Sequence, residues 1–218
     1  MYKIFKEITI DDRMVDIAER HAYDRTKEIV QQFKGQYGGP STHEESNYYG
    51  AIGELSVKKY LNLPVDLDSN YTDHKIDEGD IFYNNLIYDV KTTARMERYH
   101  TKLKSGYIQP WDPYGMSDFT SKHIHHLPKY TGGLIFTSFQ IPNDAKQTKI
   151  QDTIRDEIKN NRNLLILGYV TREDVNKKQP TWYGPSNPSN PQRKGVKYKS
   201  PNFIFHFSEL KDVKNILI

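Results

Sequence analysis

The chain has 218 residues, 36% of them hydrophobic and 27% charged, with a formal net charge of +3; its mean hydropathy is −0.81. That size and polarity predict one globular domain spanning residues 1–218. The longest apolar stretch, Leu164 to Val170, is far short of the ~20 residues that a bilayer span needs, and MYKIFKEITIDD has no uninterrupted signal-peptide core, so membrane and secreted classes are set aside and a cytoplasmic location is expected. The absence of cysteine removes thiol nucleophiles, disulfide frameworks, iron–sulfur clusters and cysteine-based zinc sites.

From Asp11 to Lys34 the spacing of Val15, Ala18, Ala22, Ile29 and Phe33 predicts a helix, with Asp11 or Asp12 as its cap. Gln36-Tyr-Gly-Gly-Pro interrupts it. Ser46 or Asn47 offers the cap for a second helix, which should end near Leu61 or Asn62 because Pro64 follows. Two β-prone runs then flank Asn84-Asn85, a pair that tolerates positive φ and predicts a tight hairpin. The stretch from Arg95 to Gly133 is weakly patterned, with a short helix near Phe119 to Leu127. Leu134–Ile141 reads as a strand and Thr148–Asn161 as an amphipathic helix. Leu164–Val170 is uniformly apolar, as in a strand buried on both faces, and Phe203–Phe207 is a short terminal strand followed by a helical turn from Ser208. The order predicts an α/β (α+β) fold, a central mixed β-sheet flanked by helices.

The hairpin carries the chemistry. A two-residue turn at Asn84-Asn85 places Ile81 opposite Tyr88 and, one step on, Asp80 opposite Asp89, with Cβ atoms about 4.5–5.5 Å apart. Facing carboxylates destabilise a sheet, so something must justify them; a divalent cation such as Mg²⁺, which takes carboxylates, waters and phosphate oxygens, does so. Strand alternation puts Lys91 on the face of Asp89, while Tyr88 and Val90 point into the core. Acid-x-Lys alone is common: the chain has six such triplets. Only Asp89-Val90-Lys91 lies in a β-hydrophobic run with a second acid across the turn. Glu54, between Gly53 and Leu55 on a helix whose Gly50, Ala51 and Gly53 permit close approach to a sheet, is a third acid able to join the pair. Plain alternatives remain for each: a same-face salt bridge for Asp89 and Lys91, a turn acid for Asp80, and a surface helix glutamate for Glu54.

Glu54 on a helix, Gly79-Asp80 opening a strand and Asp89-Val90-Lys91 on the next strand resemble the PD-(D/E)XK nuclease superfamily over Tyr49 to Thr93. Gly79 stands where that pattern has Pro, and Asp77 competes with Asp80 for the first acidic position. The resemblance implies a restriction-endonuclease-like fold and a metal-dependent DNA nuclease, more specifically an endonuclease. Asp80, Asp89, the Val90 carbonyl and Glu54 would hold Mg²⁺, with Mn²⁺ as a substitute, and Lys91 would orient the attacking water or stabilise phosphorane charge. It also implies a phage, mobile-element or restriction setting in a prokaryotic or phage-infected cell, and a homodimer as one way to cut both strands. A binding module that keeps the fold without turnover, or an RNA-acting nuclease, is the rival reading.

Between Val175 and Pro201 there are six basic residues and no acid: Lys177, Lys178, Arg193, Lys194, Lys197 and Lys199. With Trp182, Tyr183 and Tyr198 interleaved and five prolines from Pro180 to Pro201, this reads as a long surface loop suited either to solvent or to a nucleic-acid backbone. His123, His125 and His126 fall on different helical faces without acids nearby and read as solvated, with Lys122 and His123 as weaker phosphate contacts. Tyr99, His100, Tyr107 and Trp111 fit either packing or a substrate channel.

Overall fold

The computed structural model describes residues 5–33, 40–67, 79–108, 116–141, 143, 155–156, 158, 160–184 and 197–217. Its strands are β1 (Lys6–Thr9), β2 (Ile81–Tyr83), β3 (Leu86–Met96), β4 (Met116–Thr120), β5 (Gly133–Ile141), β6 (Asn163–Val170), β7 (Thr181–Tyr183) and β8 (Lys197–His206). The helices used below are α1 (Asp12–Phe33), α2 (Pro40–Tyr60), α3 (Glu97–Ser105) and α4 (Arg172–Asn176), with a 3₁₀ segment at Ser121–Lys129 and 3₁₀ turns at Phe207–Glu209 and Val213–Ile216. A five-stranded sheet runs β1-β6-β5-β3-β2 and a three-stranded sheet runs β4-β8-β7. Among these pairs β3 and β5 alone are parallel, so the fold is mixed α/β with a mixed sheet flanked by helices. No described helix is long and apolar enough to cross a membrane.

Strand alternation divides the molecule into two cores. Tyr88 and Val90 of β3, Ile135 and Phe139 of β5, and Leu164 and Ile166 of β6 pack with α1 and α2. Leu134, Phe136, Leu165 and Leu167, on the opposite face, pack with Phe119, Phe203 and Phe205 of the small sheet. The large sheet is therefore covered on both faces, which is why β6 reads as continuously apolar. α1 begins as its sequence predicts, Asp11 Oδ1 accepting from the Met14 amide at 3.0 Å.

α2 is buried nearly all round, through Tyr48, Ala51, Ile52, Leu55 and Val57. Gly53 makes this possible: a Cβ there would lie 1.9 Å from Thr92 Oγ1, so only glycine lets the helix rest on β3 at that level. The residue that follows, Glu54, is carried to the sheet by the same contact.

Several expectations need correction. α2 starts at Pro40, not at Ser46 or Asn47; proline suits the first helical turn, where its missing N–H has no partner to lose. β1, four residues long, leaves almost no periodic signal, and α3 falls in the stretch from Arg95 to Gly133 that reads as weakly patterned. The element near Phe119–Leu127 is a strand followed by a 3₁₀ segment. The Pro180–Pro201 loop includes β7 and the start of β8, whose register jumps between Thr181↔Asn202 and Tyr183↔Lys197; Pro201 falls inside that irregularity, where its absent amide proton breaks no ladder bond. Positions 155, 156, 158 and 160 are helical, consistent with the end of the expected Thr148–Asn161 helix; 148–154 lie outside the described residues.

Candidate active site

Asn84 and Asn85 have φ of 49° and 61°, the two positive values that a type I′ turn requires. The register follows as the sequence dictates: Tyr83↔Leu86, Phe82↔Ile87 and Ile81↔Tyr88. The expected continuation to Asp80 opposite Asp89 does not occur. Asp80's amide donates to the Tyr88 carbonyl at 2.9 Å, so Asp80 and Ile81 both meet Tyr88 and the ladder ends in a bulge-like turn. Gly79, at φ 97°, begins this bend; a Cβ there would sit 2.2 Å from Ile87 Cγ2.

The side chain of Asp80 takes the place that the backbone vacates. Its Oδ2 accepts from the Val90 amide at 2.6 Å, supplying the hydrogen bond that the next residue of β2 would have made. N–H and C=O of one strand residue share an edge, so Val90's carbonyl projects beside Asp80. The two aspartates thus meet β3 by different routes, Asp80 at the sheet's edge and Asp89 on the face that packs against the small sheet.

Glu54 reaches the same region from the helical side. Burial, and after it the charge of Asp80, push its carboxyl pKa up to about 8, against the pull of Lys58. Lys58 Nζ lies 3.2 Å from Glu54 Oε1 and donates to the Asp66 carbonyl at 2.8 Å, tethering the acid to the chain that follows α2. Glu54 and Asp80 are close enough to raise each other's cost of ionisation, and a fold selected for stability alone gains nothing from that.

Asp89 is 1% exposed, and its Oδ2 stands 2.7 Å from Lys91 Nζ. The ammonium lies 5.7 Å from the Phe119 ring centre, a cation–aromatic contact between β3 of the large sheet and β4 of the small one. On the same face Thr93 and Arg95 continue the row, Arg95 Nε lying 3.4 Å from Thr93 Oγ1 and its guanidinium 5.7 Å from the Phe207 ring. The same-face salt bridge offered as the plain alternative for Asp89 and Lys91 is therefore present, with the acid buried rather than on an exposed strand face.

Among the described residues, no group of three or more His, Asp or Glu converges tightly enough to ligate an ion unaided. Magnesium does not need one, because one or two carboxylates with waters and substrate oxygens complete its octahedron. The donor chemistry fits: a hard carboxylate on Asp80 beside the Val90 backbone, with the Glu54 carboxyl near enough for the charge of Asp80 to raise its pKa.

The basic run is less unified than its sequence suggests. Lys177 and Lys197 are exposed, and Lys178 pairs with Glu209 while lying 5.4 Å from the Phe205 ring. Arg193 and Lys194 lie outside the described residues, as do Asp77, Trp111 and the side chains of Lys122 and Lys199. Lys197 sits at the β7 end of β8, whereas pairing of β8 with β4, the strand that touches Lys91, ends at Asn202. The two places are roughly 16 Å apart along the strand. His123 and His125 are exposed, and His126 is half-buried. His100 is a core residue, bonded to Ser138 at 3.0 Å, and Tyr107 is 79% exposed.

Lys58 is the partner that sequence reasoning misses, although its i+4 position relative to Glu54 is there to be read. Comparison of the chain with protein-family models, with curated proteins and with solved structures finds no match.

Proposed function

We propose that the chain is a divalent-cation-dependent nuclease that hydrolyses DNA phosphodiester bonds at the edge of β3, in the manner of the PD-(D/E)XK superfamily that its motif resembles. The observation that carries this reading is the buried Asp89–Lys91 pair on the strand whose Val90 amide is bound by Asp80, an acid whose charge also bears on Glu54. Like charges gathered in a half-dry place are costly to a fold and useful to a site.

Each residue has a task in this reading. Asp80 is fixed by the Val90 amide, and Glu54 by Lys58, so both are oriented before a ligand arrives. Asp89 holds the Lys91 ammonium, which donates to the attacking water or to a non-bridging phosphate oxygen as negative charge builds there. Glu54, whose proton burial holds more tightly than usual, would give up that proton as a ligand to the cation. Mg²⁺ or Mn²⁺ bound among Glu54, Asp80, Asp89 and the Val90 carbonyl would supply phosphate-charge neutralisation and a more acidic water. Lys177 and Lys197 are the described cations of the basic run that would contact the DNA backbone, and a homodimer would present two such sites to a duplex.

The test is incubation of the purified chain with circular and linear DNA in Mg²⁺ or Mn²⁺, read on a gel. Cleavage of circular DNA that stops on adding EDTA supports the reading. DNA binding with no cleavage in either ion sinks it and leaves a binding module.

A further inference from the structure

Phe82 lies 66% exposed on β2, two residues from Asp80. Its register partner is Ile87, and alternation puts Ile87, Asp89 and Lys91 on one face of β3. Phe82 is therefore the diagonal cross-strand neighbour of Asp89, a separation of about 7–8 Å between backbones that an aromatic side chain can span. Beyond Asp89 the same face carries Lys91 and Arg95. An aromatic ring thus stands on one side of the Asp89–Lys91 pair and the Arg95 guanidinium on the other, the two ingredients by which proteins follow a nucleic-acid strand with unstacked bases.

The ring's cross-strand pairing with Ile87, which packs against the second core, accounts for one side of it and leaves most of it in solvent. The next exposed apolar residue of the hairpin, Leu86, is opposite Tyr83 and so lies on the other face, where it cannot form a shared apolar patch with Phe82. β2 has only three residues, which makes it a poor template for pairing with another chain through its edge.

We infer that Phe82 stacks on an unpaired base beside the phosphodiester presented to Lys91, so that the substrate is DNA with unstacked nucleotides at the cut, not a continuous duplex. This rests on the nuclease reading above and adds the substrate class. Such stacking is tolerant of base identity, because every base has an aromatic face. The substrate preference should therefore follow strand structure more than sequence.

The experiment compares two DNA substrates of one sequence, one fully paired and one with an unpaired stretch, cleaved by the natural chain, Phe82→Ala and Phe82→Trp. The expected result is faster cleavage of the unpaired substrate by the natural chain, a loss of about tenfold in kcat/KM on that substrate alone for Phe82→Ala, and recovery in Phe82→Trp. Size-exclusion chromatography and thermal melting accompany the kinetics, and neither should change. Equal loss on both substrates, no preference in the natural chain, or an altered oligomeric state in Phe82→Ala overturns the stacking role. Failure of the natural chain to cut either DNA removes the nuclease reading itself, whereas cleavage with an unchanged substrate ratio in Phe82→Ala removes only this inference.

Discussion

Two acid–lysine contacts of nearly equal length serve opposite ends of this fold. At the entry to α1, Lys59 Nζ stands 2.8 Å from Asp11 Oδ2, with the two side chains 37% and 48% exposed. On β3 the Lys91–Asp89 distance is 2.7 Å, yet the acid is 2% exposed at its side chain. Asp11 also caps a helix, and Lys59 also bonds the Thr9 carbonyl, so the first contact is a staple whose parts all have structural work. The second stands on the strand whose next amide, that of Val90, is held by Asp80, an acid whose charge also raises the pKa of Glu54. Distance alone does not separate a staple from a site; burial and unhelpful neighbours do.

The sharpest way to break this comparison is by substitution at both ends. Asp89→Ala and Lys91→Ala should each lower DNA cleavage by at least ~10²-fold in a plasmid assay, with far-UV circular dichroism unchanged. Lys59→Ala should leave cleavage as it is. An inactive Lys59→Ala, or an active Lys91→Ala, would dissolve the distinction.

A smaller effect separates the two ends by pH. Glu54's carboxyl binds its proton more tightly folded, at about 8, than unfolded, so the folded chain carries the extra proton between roughly pH 4.5 and 8 and loses stability as pH rises through that window. Glu54→Gln should remove that loss, on the order of a few kcal/mol at about pH 8–9 by denaturant titration. Asp11 has the opposite sign: Lys59 and the Met14 amide hold its pKa below the usual value, so its contribution is present above its unfolded pKa and fades as pH falls toward the folded one.

His100 tests burial away from either end. Its pKa is lowered to about 4 by burial, with Arg95 and Lys104 adding to the effect, so the unfolded chain takes up a proton first and stability falls as pH drops from about 6.5 toward 4. His100→Gln should flatten that fall in thermal melts between about pH 7 and 5. The smallest change is Asp11→Ala, which should cost about 1 kcal/mol in urea unfolding, the worth of an ordinary cap, with cleavage intact.

The legible and illegible parts of this molecule differ in their physics. The Asn84-Asn85 turn fixes the hairpin register because two positive φ values admit few residues, and the apolar run of β6 announces a doubly covered strand. The Asp89–Lys91 face follows from the period of two. Asp80's position cannot be read that way: its amide and its side chain exchange the roles expected of the ladder, and no hydrophobic period records a bulge. Short elements such as β1 and β7 escape because four and three residues carry almost no period. Lys178 reads as part of a phosphate track until the fold sets Glu209, thirty-one positions later in the chain, beside it.

The hydrogen bond from Val90 to Asp80 has one more consequence. A carboxylate that completes a sheet has surrendered its torsional freedom when the chain folds, so an incoming ligand does not have to immobilise it. Asp80→Asn keeps an oxygen able to hold the amide while removing the charge, which makes that one position a place where architecture and electrostatics can be pulled apart.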